Sequence, residues 1–387
     1  MNESYNRKLV FWTACLGMLL FGIGLIMLGS VLPDLRVRHS LDAMEAGTLL
    51  SVLPVGIIGG SLLFGPVCDR YGYRVLLAVS AVLMFAGFEG LAFTHTTWIL
   101  TLSVLLFGLG GGAINGATNA VVADISTTGK GAALSILGVF FGIGALGMPL
   151  LLSLLKATFE FQVIVAATGV LALAAAVLFA LVRFPAAKQA EGISVKQVGT
   201  LFRDVTLLLI AFFLFFQSSF EGLINNWTTT YLMDKVGTPQ EAALMGLSAY
   251  VAGMTVMRLL IGSVLRTIAE RKLLFFSFAI TLAALFLFSL SNSVIPAAAG
   301  LFVLGAGLAA GFPTMLGIVG NRYPNLSGTA FSFVLVIGLL GNMLVNYTMG
   351  IVAENAGINH LITFTFAELA ILVIMATAIF DRLKTNK

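Results

Sequence analysis

Charge is what this sequence has least of. Only 10% of its 387 residues are Asp, Glu, Lys or Arg, against roughly 25% in soluble globular domains. A large buried core does not explain the deficit, because a soluble chain of this length still has to cover its surface. The medium around most of this surface is therefore lipid. Cysteine is nearly absent. Cys15 and Cys68 offer neither a disulfide framework nor a metal spacing, and they read as small apolar fillers. Histidine is limited to His39, His95 and His360, all in connectors, so neither a proton relay nor a metal site is expected from them. No metal and no other cofactor is expected at all. The net charge of +4 comes from Lys and Arg in short connectors. No basic face interleaved with aromatics accompanies it, which excludes nucleic acid as a partner. No nucleophile elbow or clustered His and Asp points to an enzyme.

What is abundant is apolar. Hydrophobic residues make up 59% of the chain, with 42 Gly and 31 Phe. A membrane-crossing helix needs ~20 apolar residues. Such runs recur over about 9–33, 44–66, 74–93, 98–124, 130–155, 162–183, 205–232, 240–265, 271–292, 294–320, 328–353 and 360–382. The first run follows Arg7 and Lys8. It is longer than the apolar core of a secretory leader and lacks a small-residue cleavage site, so it is expected to remain as span 1.

Most connectors are short. The exception, 184–204, is polar and charged. It divides the chain into an N-terminal six-helix bundle (1–183), a linker (184–204) and a C-terminal six-helix bundle (205–387). With the N-terminus placed inside, sixteen Lys and Arg fall on inner segments, including Lys188, Lys196, Arg266 and Lys387. Only Arg36, Arg38, Lys156 and Lys235 fall outside, and Arg258 lies within span 8. That asymmetry predicts cytoplasmic termini and a cytoplasmic linker. The expectation is a multi-pass integral protein of the plasma (inner) membrane, a monomer in the lipid bilayer.

The halves repeat at an offset of 197. Gly65 maps to Gly262, Arg74 to Arg271, Gly108 to Gly305, Gly110 to Gly307, Gly131 to Gly328, Ser135 to Ser332 and Gly144 to Gly341. Six spans per half make the repeat parallel, a plan used by secondary transporters with a midplane site. The predicted fold is an all-α membrane protein of twelve transmembrane helices in two parallel six-helix bundles.

Polar residues inside spans usually face a bundle interior or a water-filled path. Three helices carry them four residues apart, on one face. Span 7 has Gln217, Glu221 and Asn225, with Trp227 nearby; span 4 has Asn115 and Asn119; span 11 has Asn342 and Asn346. Carboxamides donate and accept together, which suits hydroxylated solutes, and they also serve as interhelical glue. Glu221 is the one carboxylate near the middle of a span, where the first half has Gly24. It can hold a proton, accept from a solute hydroxyl, or serve as a structural carboxylate. Glu89 and Glu368 are expected nearer helix ends or in the outer shell. Arg258 is expected to snorkel to the inner surface or to meet a carbonyl, in a structural role. Phe140, Phe141, Phe312 and Pro313 punctuate spans 5 and 10 as gates or as packing.

Between spans 2 and 3 stands Gly65-Pro-Val-Cys-Asp69-Arg70-Tyr-Gly72-Tyr-Arg74. This resembles the signature cytoplasmic loop of the major facilitator superfamily. The copy in the second half keeps Gly262 and Arg271 but has Arg266 in place of the acid. Asp69 is expected at the positive end of the helix starting near Gly328. Arg70 or Arg74 is expected to pair with Asp124, so that Gly65, Asp69, Arg70, Gly72, Arg74 and Asp124 form a cytoplasmic gate.

Two further stretches resemble the fucose permease-like sugar transporters of that superfamily: the Gly-rich span 4 with Asn119 running into Phe141–Ala145 and Pro149, and Glu221 with Trp227 in span 7. The resemblance implies a small-molecule sugar importer with the proton as coupling ion. The acids that the fucose permease carries in spans 1 and 4 are missing here, since Asn115 occupies the second place. Proton coupling would then fall to Glu221. The alternative is a proton-driven efflux antiporter for amphipathic compounds, disfavoured by the carboxamide-rich stripes and by a half-present antiporter motif at Gly144–Pro149.

Overall fold

The computed structural model describes residues 5–41, 43–127, 129–155, 158–187, 199, 203–264 and 267–385. Lys156, Arg266, Lys387 and most of the 184–204 linker, with Lys188 and Lys196, lie outside the described residues. Among those described, the regular structure is helical. The helices are α1 (Arg7–His39), α2 (Ala43–Tyr71), α3 (Tyr73–Phe93), α4 (Thr97–Ile125), α5 (Lys130–Leu155), α6 (Phe161–Leu181), α7 (Val205–Val236), α8 (Gln240–Ser263), α9 (Glu270–Ser289), α10 (Val294–Leu308), α11 (Gly311–Arg322), α12 (Ser327–Ala356) and α13 (His360–Thr385). They supply twelve membrane-length apolar spans, with α10 and α11 together forming the tenth.

Local chemistry sets the ends. The Asn6 side chain accepts from the backbone N–H groups of Lys8 and Leu9 at 3.0 and 3.2 Å and caps α1. Asp204 caps α7 by accepting from Thr206 N at 2.7 Å. Gly237 closes α7 in the left-handed region, at φ 68°. Gly72 is the single residue between α2 and α3 and sits at φ 83°. That backbone strains any residue with a Cβ, which explains a glycine at this place in the loop motif.

The sequence reads span 10 as continuous, but its helix breaks at Ala309–Ala310. Pro313, four residues after Ala309, has no N–H to return to that carbonyl. Interrupted backbone at membrane depth needs a partner inside the protein, and the Leu308 carbonyl finds one in Gln217 Nε2, at 3.0 Å.

The chain forms two compact units. Unit 1 comprises the described residues within Met1–Thr127, Phe140–Val195 and Tyr323–Ser332, and unit 2 those within Thr128–Val139, Lys196–Arg322 and Phe333–Lys387. The first turns of α5 therefore belong to unit 2 and the first turns of α12 to unit 1. The 197-residue offset recurs in the packing. In unit 1, a Cβ on Gly108 would meet the Leu53 carbonyl at 3.0 Å, and one on Gly110 would meet Met84 N at 3.1 Å. In unit 2, Gly305 stands in the same way against the Tyr250 carbonyl and Gly307 against Thr281 N. These glycines let helix backbones touch, as in other membrane bundles.

Candidate functional site

In unit 2, a polar chain runs from the α10–α11 break across α7 to α8. Gln217 Nε2 donates to Glu221 Oε1 at 2.8 Å as well as to the Leu308 carbonyl. Gly311 makes room for this amide, since a Cβ there would collide with it. Glu221 Oε2 faces Arg258 Nη2 at 3.8 Å, with side-chain exposures of 16% and 11%. Among the described residues the Arg258 guanidinium meets no carbonyl, and it is the counter-charge to the central acid. Its backbone carbonyl accepts from Ser135 Oγ at 2.7 Å, and Gly138 lies beside its guanidinium. In unit 1 the equivalent serine, Ser332, donates to the carbonyl of Ser61. The offset thus aligns Arg258 with Ser61 and Glu221 with Gly24, so the repeat lacks both charges together.

Tyr250 was not signalled by the sequence beyond its being a tyrosine in an apolar span. It is fully buried, its hydroxyl has no hydrogen-bond partner among the described residues, and it lies within electrostatic reach of Glu221 and Arg258. Glu368 departs from its expected outer position. It is 4% exposed and accepts from Ser219 Oγ of α7.

The other span 7 residues lie closer to solvent. Asn225 is exposed and donates to the Glu221 backbone carbonyl at 2.8 Å. Trp227 Nε1 and Asn226 Nδ2 both donate to Asn346 Oδ1, at 3.1 and 3.0 Å. Asn346 Nδ2 donates to Asn342 O at 2.8 Å, and Asn342 Nδ2 to Ser218 O at 3.1 Å. Gly222 leaves the space these carboxamides occupy. Asn342 and Asn346 therefore join α12 to α7. Trp227 also borders a cleft of about 580 Å³ at the far end of α7 and α12, which Asp234, Lys235, Gly357 and Asn359 help to line. Glu221 is not among its walls.

In unit 1, Asn119 Nδ2 donates to Asn115 O and Oδ1 at 2.8 and 3.1 Å. Phe21 packs on Phe141 with centroids 5.6 Å apart, and Trp12 meets Phe140 edge-on at 5.8 Å. The α2–α3 loop meets the start of α12. Asp69 is 1% exposed; its Oδ1 accepts from Gly328 N at 3.2 Å, and its Oδ2 accepts from Thr329 N and Oγ1 at 2.9 and 2.7 Å. A carboxylate there satisfies orphan N–H groups and complements the helix dipole. Gly65 lets α2 approach Gly328 and Ser332. Asp124 accepts from Tyr73 OH and from Ser327 Oγ, the latter at 2.9 Å. Arg74 Nε donates to the Ala180 carbonyl at 2.6 Å, and Arg70 stacks over the Tyr71 ring at 5.2 Å.

Outside the spans, burial holds the His39 imidazole below its ordinary 6.5, with Arg38 and His95 adding to the effect. Among the described residues no group of three or more His, Cys, Asp or Glu is placed to hold a metal ion.

A family model described as Major Facilitator Superfamily matches residues 14–346 and 214–386. A D-xylose transporter of Levilactobacillus brevis is 30% identical over 128 residues, which are 33% of this chain and 28% of that protein. The match thus spans little more than a quarter of that relative's length. The multidrug resistance protein MdtG of Proteus mirabilis is 24% identical over 95% of this chain and 94% of its own. The structure of a variant of the Escherichia coli fucose:proton symporter superposes with a TM-score of 0.80 at 17% identity, covering 95% of this chain and 98% of that one. At that identity the superposition speaks to fold.

Proposed function

The chain belongs to the major facilitator superfamily and is a multi-pass integral membrane transporter of small molecules; on that premise we propose that it carries a sugar or sugar-like hydroxylated solute by alternating access, in symport with protons. The observation that carries this reading is the Gln217–Glu221–Arg258 chain, a mid-span carboxylate anchored on one oxygen and opposed by a guanidinium on the other. A group so placed takes a proton from one side and yields it to the other. Asn115, Asn119, Asn225, Asn342 and Asn346 add carboxamides that suit hydroxyl groups, and Trp227 adds an apolar face for a sugar ring. The names of the D-xylose and fucose proteins support the same cargo class. In this reading Gly65, Asp69, Arg70, Gly72, Arg74 and Asp124 form the cytoplasmic latch. The protein works as a monomer in the plasma membrane, with both termini in the cytoplasm.

The test is uptake into proteoliposomes under an imposed pH gradient, with and without Glu221→Gln. The variant keeps the shape of the side chain and cannot ionise. It is expected to lose concentrative uptake while retaining solute exchange. Proton-driven accumulation undiminished in Glu221→Gln would remove Glu221 as the coupling group. The MdtG likeness, which spans nearly the whole chain, favours a second reading as a proton-driven efflux antiporter. That reading predicts resistance to amphipathic compounds on expression and no sugar uptake.

A further inference from the structure

Among the described residues, two buried donors of α8 lack acceptors. Among the described residues the only partner of the Arg258 guanidinium is Glu221, at 3.8 Å, longer than a hydrogen bond, and its Nε is buried without an acceptor. The Tyr250 hydroxyl, 0% exposed, is likewise unpartnered. Buried donors are normally satisfied; among the described residues these two have no acceptor, and both lie within electrostatic reach of Glu221.

The internal repeat separates this arrangement from scaffolding. At the 197-residue offset, Glu221, Tyr250 and Arg258 correspond to Gly24, Leu53 and Ser61. Unit 1 builds the same helix contacts, including the matching serine-to-carbonyl bond, with none of the three groups. The packing therefore does not require them.

Charge balance names the missing acceptor. The ionised pair is neutral. When Glu221 takes up a proton, a lone guanidinium is left inside the membrane, which is costly. The other titratable groups near Glu221 do not offset it. Tyr250 is neutral. Glu368, on α13, meets Ser219 on another side of α7. Next to Arg258, α5 brings Ser135 and Gly138, and beside Gln217 the α10–α11 break brings the Leu308 carbonyl and Gly311; none of these titrates. A neutral sugar leaves the charge standing. A carboxylate cancels it, and its two oxygens match the guanidinium fork. We propose that the solute is a hydroxylated carboxylic acid, a sugar acid, whose carboxylate is held by Arg258 and Tyr250 while Glu221 carries the co-transported proton. This rests on the symport reading above and narrows its substrate class.

The test uses the full chain in proteoliposomes with four labelled probes: D-gluconate, D-glucuronate, D-xylose and L-fucose. Under an inward proton gradient the two acids are expected to accumulate and to compete with each other, and the neutral sugars to do neither. Arg258→Gln is expected to abolish acid uptake. Tyr250→Phe removes only a hydroxyl that has no partner among the described residues, so the fold is expected to be kept. It is expected to weaken acid binding about 10- to 100-fold, as for a lost hydrogen bond to a charged group. Accumulation of the neutral sugars without uptake of, or competition by, the acids overturns the carboxylate site and leaves the symport reading standing. Acid uptake indifferent to the gradient and to Glu221→Gln, yet lost in Arg258→Gln, overturns proton coupling and keeps the carboxylate site. Failure of all four probes overturns both.

Discussion

Asp69 shows how one side chain ties a loop to a helix start. It collects two backbone N–H groups and a hydroxyl from Gly328 and Thr329 on two carboxylate oxygens, and it is buried there. An asparagine has the same shape but only one acceptor oxygen, so its NH₂ would face the Thr329 donors. Asp69→Asn is expected to lower stability by about 1–3 kcal/mol, the cost of an unpaired buried donor, read as a lower unfolding temperature of the purified protein. An unchanged unfolding temperature would mean that these hydrogen bonds contribute little. Both partners were legible from the loop motif and from the glycine that opens the eleventh span. The surroundings of Asp124 were less so, because Tyr73 and Ser327 approach it from a neighbouring helix and from α12, which periodicity along one chain segment does not reveal.

At the scale of helices, glycine decides how closely two backbones approach, and the same substitution should change sign with location. A Cβ on Gly305 would collide with the Tyr250 carbonyl, whereas one on Gly147 meets nothing within 4 Å. Gly305→Ala is therefore expected to destabilise, by about 1–3 kcal/mol of overpacking strain. Gly147→Ala is expected to stabilise, by up to about 1 kcal/mol of helix propensity. Paired thermal melts check this, and a matching loss in both variants would contradict the packing. The spans themselves were readable because lipid demands long apolar runs. The break at Ala309–Ala310 was marked only by Pro313, which does not by itself say where a helix parts. Its residues are as apolar as their neighbours, and the Leu308 carbonyl is satisfied by Gln217, 91 residues away. Glu368 misled for a related reason: nothing in its own helix announces Ser219 across the bundle.

Over the whole molecule, the repeat was legible and its interleaving was not. The 197-residue offset appears in spacing alone, but only tertiary contacts assign the first turns of α5 to unit 2 and those of α12 to unit 1. The pairing of Glu221 with Arg258 belongs to the same class of fact, since helical periodicity places each on a face without saying which faces meet. Sidedness is different, because it follows from where the cations lie and is open to direct measurement. Cys15 and Cys68 are both buried, at 0% and 2% exposure, so the unmodified protein should give almost no background with a membrane-impermeant thiol reagent. Lys235 and Arg382 are exposed near the ends of α7 and α13, and the cation asymmetry assigns them to opposite sides. In intact cells Lys235→Cys is expected to be labelled from outside and Arg382→Cys only after the membrane is opened. The reverse pattern would invert the topology, and with it the side on which the Asp69 loop lies.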